Sequence, residues 1–298
     1  MNTKPQHYFE ADNINELYLQ IIKEVSSNPQ YVTSPRGMQI KETTGIVARL
    51  TNPKKCLITL KDRKLNYAFA AIEKLQYLSG NTDVDGLVYY NEGFKNYAND
   101  YGIFDGAYPE RLAYWYRHVY ELLKADPDTR QAVMSIYGTQ DRHKSKDIPC
   151  TVMFQFMIRN GKLNMISYMR SNDVLWGFPY DTNGFCFVQQ ALAAMLGVEV
   201  GYYELHAGSL HIYTERENQL TTLLVNKDEL NINIVDIPHY DSLDALKNDL
   251  NMFWIAERAK RVDNITHSVV SLLPEWLLQY YNIADLHITK KHNKQLPL

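Results

Sequence analysis

Two alternating apolar runs flank Asn160-Gly161 in the stretch TVMFQFMIRNGKLNMISYMRS, and this pattern constrains the fold more than any other part of the chain. Asn-Gly is the preferred pair for a type I′ turn, in which both central residues take positive φ and the two strands keep their natural twist. An antiparallel hairpin is therefore expected here. Cys150 immediately precedes its first strand, and the second strand runs out through Tyr168-Met169-Arg170-Ser171-Asn172-Asp173. The hairpin thus returns a cation and several short polar groups to the neighbourhood of Cys150.

Helical patterns surround this hairpin. Residues 12 to 27 place Leu17, Ile21, Ile22 and Val25 at helical spacing, with Asp12 as the expected N-cap. Residues 30 to 62 read as strand-like. Residues 66 to 78, NYAFAAIEKLQYL, are apolar on nearly every side and stop at Ser79-Gly80, as a buried helix ending on glycine would. Residues 111 to 125 and 183 to 197 read as two further helices, and 201 to 213 as a strand. No repeat, low-complexity tract or Gly/Pro-rich linker divides the chain, so one mixed α/β domain over residues 1–298 is expected, with a helical segment from about residue 240.

Composition narrows the function classes. Apolar residues make up 45% and charged residues 22%, which is ordinary for a soluble globular protein. The net charge of −3 supplies no broad positive field for duplex nucleic acid, so an anionic ligand must be held by a local cluster of arginines. The N-terminal stretch lacks the apolar core of a secretory signal, and no apolar run is long enough to span a bilayer. Cys56, Cys150 and Cys186 have no metal-ligand spacing, and their odd number leaves at least one thiol free. A cytoplasmic setting and no metal site are the resulting expectations.

Four groups could carry chemistry. Cys150 follows Pro149 at the mouth of a strand, where a thiol can face a cleft; the alternative is a small buried hydrophobe, and a nearby Arg170 favours the nucleophilic thiolate. Glu73 stands on an apolar helix, either as a paired core acid or as a carboxyl whose raised pKa suits proton transfer near neutrality. Asp181 follows a Gly/Pro turn, either as the N-cap of the helix beginning near Asn183 or as a ligand-facing acid. His211 and Tyr213 project from the same face of a strand, as a satisfied core pair or as two donors for a ligand hydroxyl.

Taken together, the strings AIEKLQYLSGNT, DTRQAV, DIPCTVMFQF, YMRSNDVLWGFPYD and AGSLHIY resemble the thymidylate synthase family, in order, from about residue 36 to residue 213. The resemblance implies an α+β fold with a mixed or antiparallel sheet and a sheet-mediated homodimer. It implies that Cys150 is the nucleophile, with Gln155 in the following strand, and that Glu73 assists proton movements at the pyrimidine through water. It further implies that Arg36, Arg170 and an Arg130 donated across the dimer interface bind phosphate beside Ser171. His211 and Tyr213 match the pair that binds the sugar 3′-hydroxyl, Asp173 and Tyr108 match other active-site positions, and the one-carbon donor is 5,10-methylenetetrahydrofolate.

The departures bear on the substrate. Thymidylate synthases carry Asn where this chain has Asp181; an amide accepts from uracil N3–H and donates to O4, whereas a carboxylate can accept from cytosine N4–H and from a protonated N3. Asp181, Cys150-Thr151 and Gly208-Ser209-Leu210-His211 resemble the phage deoxycytidylate hydroxymethylases, which implies hydroxymethylation of dCMP, in the cytoplasm of a cell or of a phage-infected host. Arg130-Gln131 replaces a pair of arginines, and Phe94 stands near the place of a folate-facing Trp. After about residue 220 the resemblance fades. Alternatives are hydroxymethylation of CMP for a pyrimidine natural product, methylation of dCMP, a divergent thymidylate synthase, and a catalytically silent nucleotide- or RNA-binding relative.

Overall fold

The computed structural model describes residues 6–142, 145 and 147–295. In chain order the elements are β1 (Tyr8–Ala11), α1 (Ile14–Ser27), β2 (Tyr31–Thr33), β3 (Ile40–Leu50), α2 (Tyr67–Ser79), α3 (Val84–Tyr90) and α4 (Tyr108–Ala125). They continue with β4 (Val133–Ser135), β5 (Thr151–Arg159), β6 (Lys162–Met169), β7 (Asn172–Asp173), α5 (Gly177–Leu196) and β8 (Glu199–Tyr213), and end with α6 (Glu217–Thr221), α7 (Leu243–Asp263) and α8 (Glu275–Gln295).

One mixed sheet runs β1-β3-β8-β6-β5-β4, with β2 added to β3 and β7 to β8. The Asn160-Gly161 turn forms as the sequence dictates, with φ of 52° and 72° and Arg159 opposite Lys162. At its open end the Arg170 amide donates to the Cys150 carbonyl at 2.9 Å, so the hairpin does return Arg170 to Cys150. β8 lies at the centre of the sheet, antiparallel to β3 and parallel to β6 and β7. Its register sets Asp173 beside His211.

Helices α2 and α5 are buried almost all round because each is covered by other elements. α5 is anchored to the sheet by Gln189 Nε2, which donates to the carbonyls of Leu163 and Tyr202 at 2.8 and 2.9 Å. α8 packs beyond α2, where Lys74 Nζ lies 4.4 Å from the Tyr280 ring centre and 4.8 Å from that of Phe187. Buried apolar side chains form one continuous cluster from Phe9 on β1 to Ile288 on α8.

Several boundaries differ from those read in the sequence. Asn13, not Asp12, caps α1 by accepting from the Glu16 amide at 2.9 Å. The strand-like stretch ends at Leu50, because Pro53 lacks the amide hydrogen that a continuing ladder needs. α4 starts at Tyr108, with Pro109 in the first turn where a missing amide hydrogen costs nothing. α5 starts at Gly177, six residues before Asn183, so Asp181 lies inside the helix and is not its cap. Asp173 does the capping instead, its two oxygens accepting from the amides of Leu175, Trp176 and Gly177 at 2.7–2.9 Å.

Candidate active site

Cys150, half-buried at the mouth of β5, is the only one of the three cysteines that is not fully buried. Arg170 spans the segment before it, Nε donating to the Pro149 carbonyl and Nη2 to the Ile148 carbonyl, both at 2.9 Å. The guanidinium lowers the thiol pKa as expected, but it does not win. Burial pushes the thiol up, and Asp181, Asp173 and Asp147 add to that push. The sulfur therefore rests as a thiol and must lose its proton as it attacks.

Tyr108 and Asp181 lie close to this thiol, and Glu73 lies close to Asp181. The Tyr108 hydroxyl accepts from the Thr151 amide at 3.2 Å and from the Thr151 hydroxyl at 3.1 Å, which leaves its own proton free to donate elsewhere. Asp181 is packed round by protein yet open on one side; burial holds its carboxyl well above the ordinary carboxylate range, reinforced by Glu73 and Asp173. The amide of Asn172 opposes that shift, Nδ2 donating to Asp181 Oδ2 at 2.7 Å. Glu73 is 7% exposed, and burial pushes it up to about 8 against a hydrogen bond from the Tyr77 hydroxyl. Two carboxyls that burial pushes up thus lie close to each other, and Asp181 also acts on the thiol.

Tyr77 is seated by a glycine. A Cβ on Gly184 would lie 2.6 Å from Tyr77 Cε2 and 2.8 Å from Cδ2, so the ring rests directly on the backbone of α5. Gly184→Ala is expected to displace the ring and cost about 1–3 kcal/mol, checked by thermal melting. Glu73 sets a pH dependence of its own. Its folded-state pKa stands above the ordinary 4.5, so its stabilising contribution is complete below about pH 4.5 and is lost as pH rises through about 8. Glu73→Gln, which cannot ionise, is expected to flatten that decline, read from urea midpoints at about pH 5 and about pH 9.

A second group of side chains lies on the β8 side. His211 is 7% exposed and held neutral by burial, and its Nδ1 has no hydrogen-bond partner among the described residues. The Tyr213 ring stands edge-on to it at 5.2 Å, and the Tyr213 hydroxyl hydrogen-bonds Arg36. Arg36 itself has φ 53° and ψ 28°, a left-handed conformation that costs a non-glycine residue on the order of 1 kcal/mol. Arg36 and Arg170 are exposed, with Ser171 half-buried beside Arg170.

Arg130 and Gln155 are not brought into this cleft within the single chain. Gln155 lies five residues along β5 from Cys150, and its Nε2 donates to the Arg130 carbonyl at 3.1 Å while the Arg130 side chain stays exposed. Sequence reading also missed three residues. Asn172 and Tyr77 each hold one of the carboxyls, and Tyr97, half exposed, feels the charges of Asp173, Cys150 and Arg36. Asn172 and Tyr97 act on neighbours from other elements, which spacing does not mark, whereas Tyr77 stands four residues after Glu73 on α2, a helical spacing that could have found it. Tyr97 belongs to an aromatic wall, 5.7 Å from Phe94, which is 6.0 Å from Phe104. Across from it Trp176 is 49% exposed, 6.3 Å from Tyr213.

The arrangement can bind an anion, orient a flat polar ring against Asp181, and deliver a sulfur nucleophile to it. Among the described residues no helix is long and apolar enough to cross a membrane. Comparison with known proteins agrees with this geometry: the thymidylate synthase family model matches residues 16–260. A deoxyuridylate hydroxymethyltransferase of Bacillus phage SP01 is 37% identical over 226 residues, covering 70% of this chain and 59% of that protein. A deoxyuridylate hydroxymethyltransferase of Pseudomonas phage M6 is 30% identical over 184 residues, covering 57% of this chain and 51% of that protein. The chain thus spans between half and three fifths of the length of these relatives.

Proposed function

From the premise that the chain belongs to the thymidylate synthase family, we propose that it adds a hydroxymethyl group to C5 of a deoxypyrimidine monophosphate, and that the base is cytosine. The observation that carries the choice of base is Asp181, a carboxyl on the open side of the Cys150 cleft where the family has an amide. Ionised, it accepts from N4–H and from a protonated N3; protonated, it donates to N3 and accepts from N4–H. Handing its proton to N3 draws electrons from C6 and prepares that carbon for attack.

In this reading the Cys150 sulfur bonds to C6 as its proton leaves, and C5 becomes nucleophilic. 5,10-Methylenetetrahydrofolate supplies the one-carbon unit that C5 takes up. The exposed faces of Phe94, Tyr97 and Trp176 around the cleft fit a flat ring system of that kind. Glu73 then removes the C5 proton as the bond between the new methylene and the folate nitrogen breaks and tetrahydrofolate leaves, Tyr108 donates a hydrogen bond, and water adds to the exocyclic methylene carbon as the bond from Cys150 to C6 breaks. Arg36, Arg170 and Ser171 would hold the phosphate, since guanidinium forks match its geometry. His211 and Tyr213 would take the sugar hydroxyl, the unpartnered Nδ1 being consistent with a missing ligand partner.

Arg130 and Gln155 would act in a second active site, across a homodimer formed on the open face of the sheet. Met153, Met157, Ile166 and Tyr168 are only half-buried on β5 and β6, which supports an unpartnered surface there.

A second reading keeps the chemistry and exchanges the base. With its proton retained, Asp181 can donate to uracil O4 and accept from N3–H, and both relatives are named for deoxyuridylate. The test incubates the protein with methylenetetrahydrofolate and dCMP, dUMP or CMP in turn, reading product mass and tritium release from C5. A hydroxymethyl product from dCMP supports the first reading. Turnover confined to dUMP replaces it with the second, and turnover of neither base with either sugar overturns both.

A further inference from the structure

Among the described residues the Asp181 carboxyl has a single side-chain hydrogen bond, and the group that makes it has no role in the chemistry above. Asn172 is 3% exposed and spends both amide protons in fixed directions, one on Asp181 Oδ2 at 2.7 Å and one on Met169 Sδ at 3.1 Å. Its Oδ1 is buried without a partner, so the donors alone fix the amide; turning it over would set oxygen against the Asp181 carboxylate. Space around the contact is closed. A Cβ on Gly177 would meet Asp173 Oδ2, Asp181 Oδ2 and Asn172 Nδ2 at 3.2, 3.3 and 3.4 Å, so the bare backbone of α5 lies against the contact.

We propose that Asn172 is the positioning residue that decides which base Asp181 accepts, by holding one carboxylate oxygen with an N–H donor and so maintaining the ionised form. This rests on the reading of Asp181 as the base-binding group. An ionised carboxylate can take both contacts of cytosine once N3 carries a proton, whereas uracil O4 offers it only lone pairs and takes up no proton; the protonated acid fits both bases. Discrimination against uracil therefore exists only above the pH at which Asp181 loses its proton. The groups around it favour the proton. Glu73 and Tyr77 face it from α2, Tyr108 from α4, Cys150 from the start of β5, Asp173 from β7 and Tyr203 from β8, and none is a cation. The Asn172 amide is the group that works the other way.

The experiment measures kcat/KM for dCMP and dUMP with methylenetetrahydrofolate across pH, and reports their ratio, which cancels any general loss of activity. In the unaltered protein the ratio should climb up to about tenfold per pH unit before levelling, as one proton leaves. In Asn172→Ala the climb should begin about one to two pH units higher, the amount set by one hydrogen bond to a charged group. Asn172→Leu, which keeps the shape and removes the donor without adding a charge, should do the same and stands in if the alanine variant does not fold. If turnover of either variant is too weak, the same ratio is read from calorimetric binding of the two nucleotides.

A ratio whose pH profile is unchanged in both variants overturns the assignment of Asn172 while leaving Asp181 in place. A protein that prefers dUMP at every pH overturns the parent reading instead.

Discussion

Cys150→Ser is expected to abolish turnover, with kcat falling on the order of 10⁴-fold or more, while dCMP still binds. The hydroxyl is a far weaker nucleophile than the thiolate, and its proton is far harder to remove than that of a thiol. The phosphate and sugar contacts proposed for Arg36, Arg170, His211 and Tyr213 do not involve the sulfur, so calorimetry should give a dissociation constant within a few-fold of that of the unaltered protein. Tritium release from C5 makes the decisive readout, because proton exchange at C5 requires prior addition at C6. A serine variant that still releases tritium at an undiminished rate would remove Cys150 from the mechanism, and with it the proposed reaction.

Asp181→Asn is expected to invert the base preference. The carboxamide donates to O4 and accepts from N3–H of uracil, whereas against cytosine its donor meets the N4 amino group and one buried polar contact is left unmade. Hydrogen-bonding sites of this kind discriminate by about 10³-fold or more. The selectivity ratio for dCMP over dUMP should therefore fall by that order and reverse, while the Asn172 contact loses its charge but keeps its geometry. Product mass then reports whether the hydroxymethyl outcome survives the change of base. An unchanged ratio would mean that Asp181 does not contact the base and serves only the proton balance of Glu73.

These two predictions rest on residues of different legibility. Cys150 stood out in the sequence because Pro149 and the Asn160-Gly161 hairpin together define where a strand begins, and a hairpin folds by local rules. Glu73 was visible as an acid on an otherwise apolar helix. Asp181 was visible only through resemblance: its local signal, a Gly/Pro turn, pointed to an N-cap at a helix start six residues later than the real one. Asp173 had taken that cap with both oxygens, and a second cap was not needed.

What the sequence determined by itself is the part governed by short-range chemistry: the hairpin and its turn, the existence of the helices, the free thiol at a strand mouth, and the set of residue types available to it. Tertiary structure alone decided how those groups behave. The Arg170 guanidinium is where the hairpin had to bring it, but the thiol still rises, because burial and three carboxylates from β7, α5 and the segment before β5 outweigh one cation. Asn172 became the partner of Asp181 through the packing of α5 against the sheet, whereas Tyr77 meets Glu73 one turn along α2 and owes only its seat on Gly184 to the packing of α5 against α2. Arg130, exposed, and Gln155, half-buried on β5, were left outside the cleft for the same reason. Charge balance and hydrogen bonds between elements depend on distances that no spacing along the chain encodes.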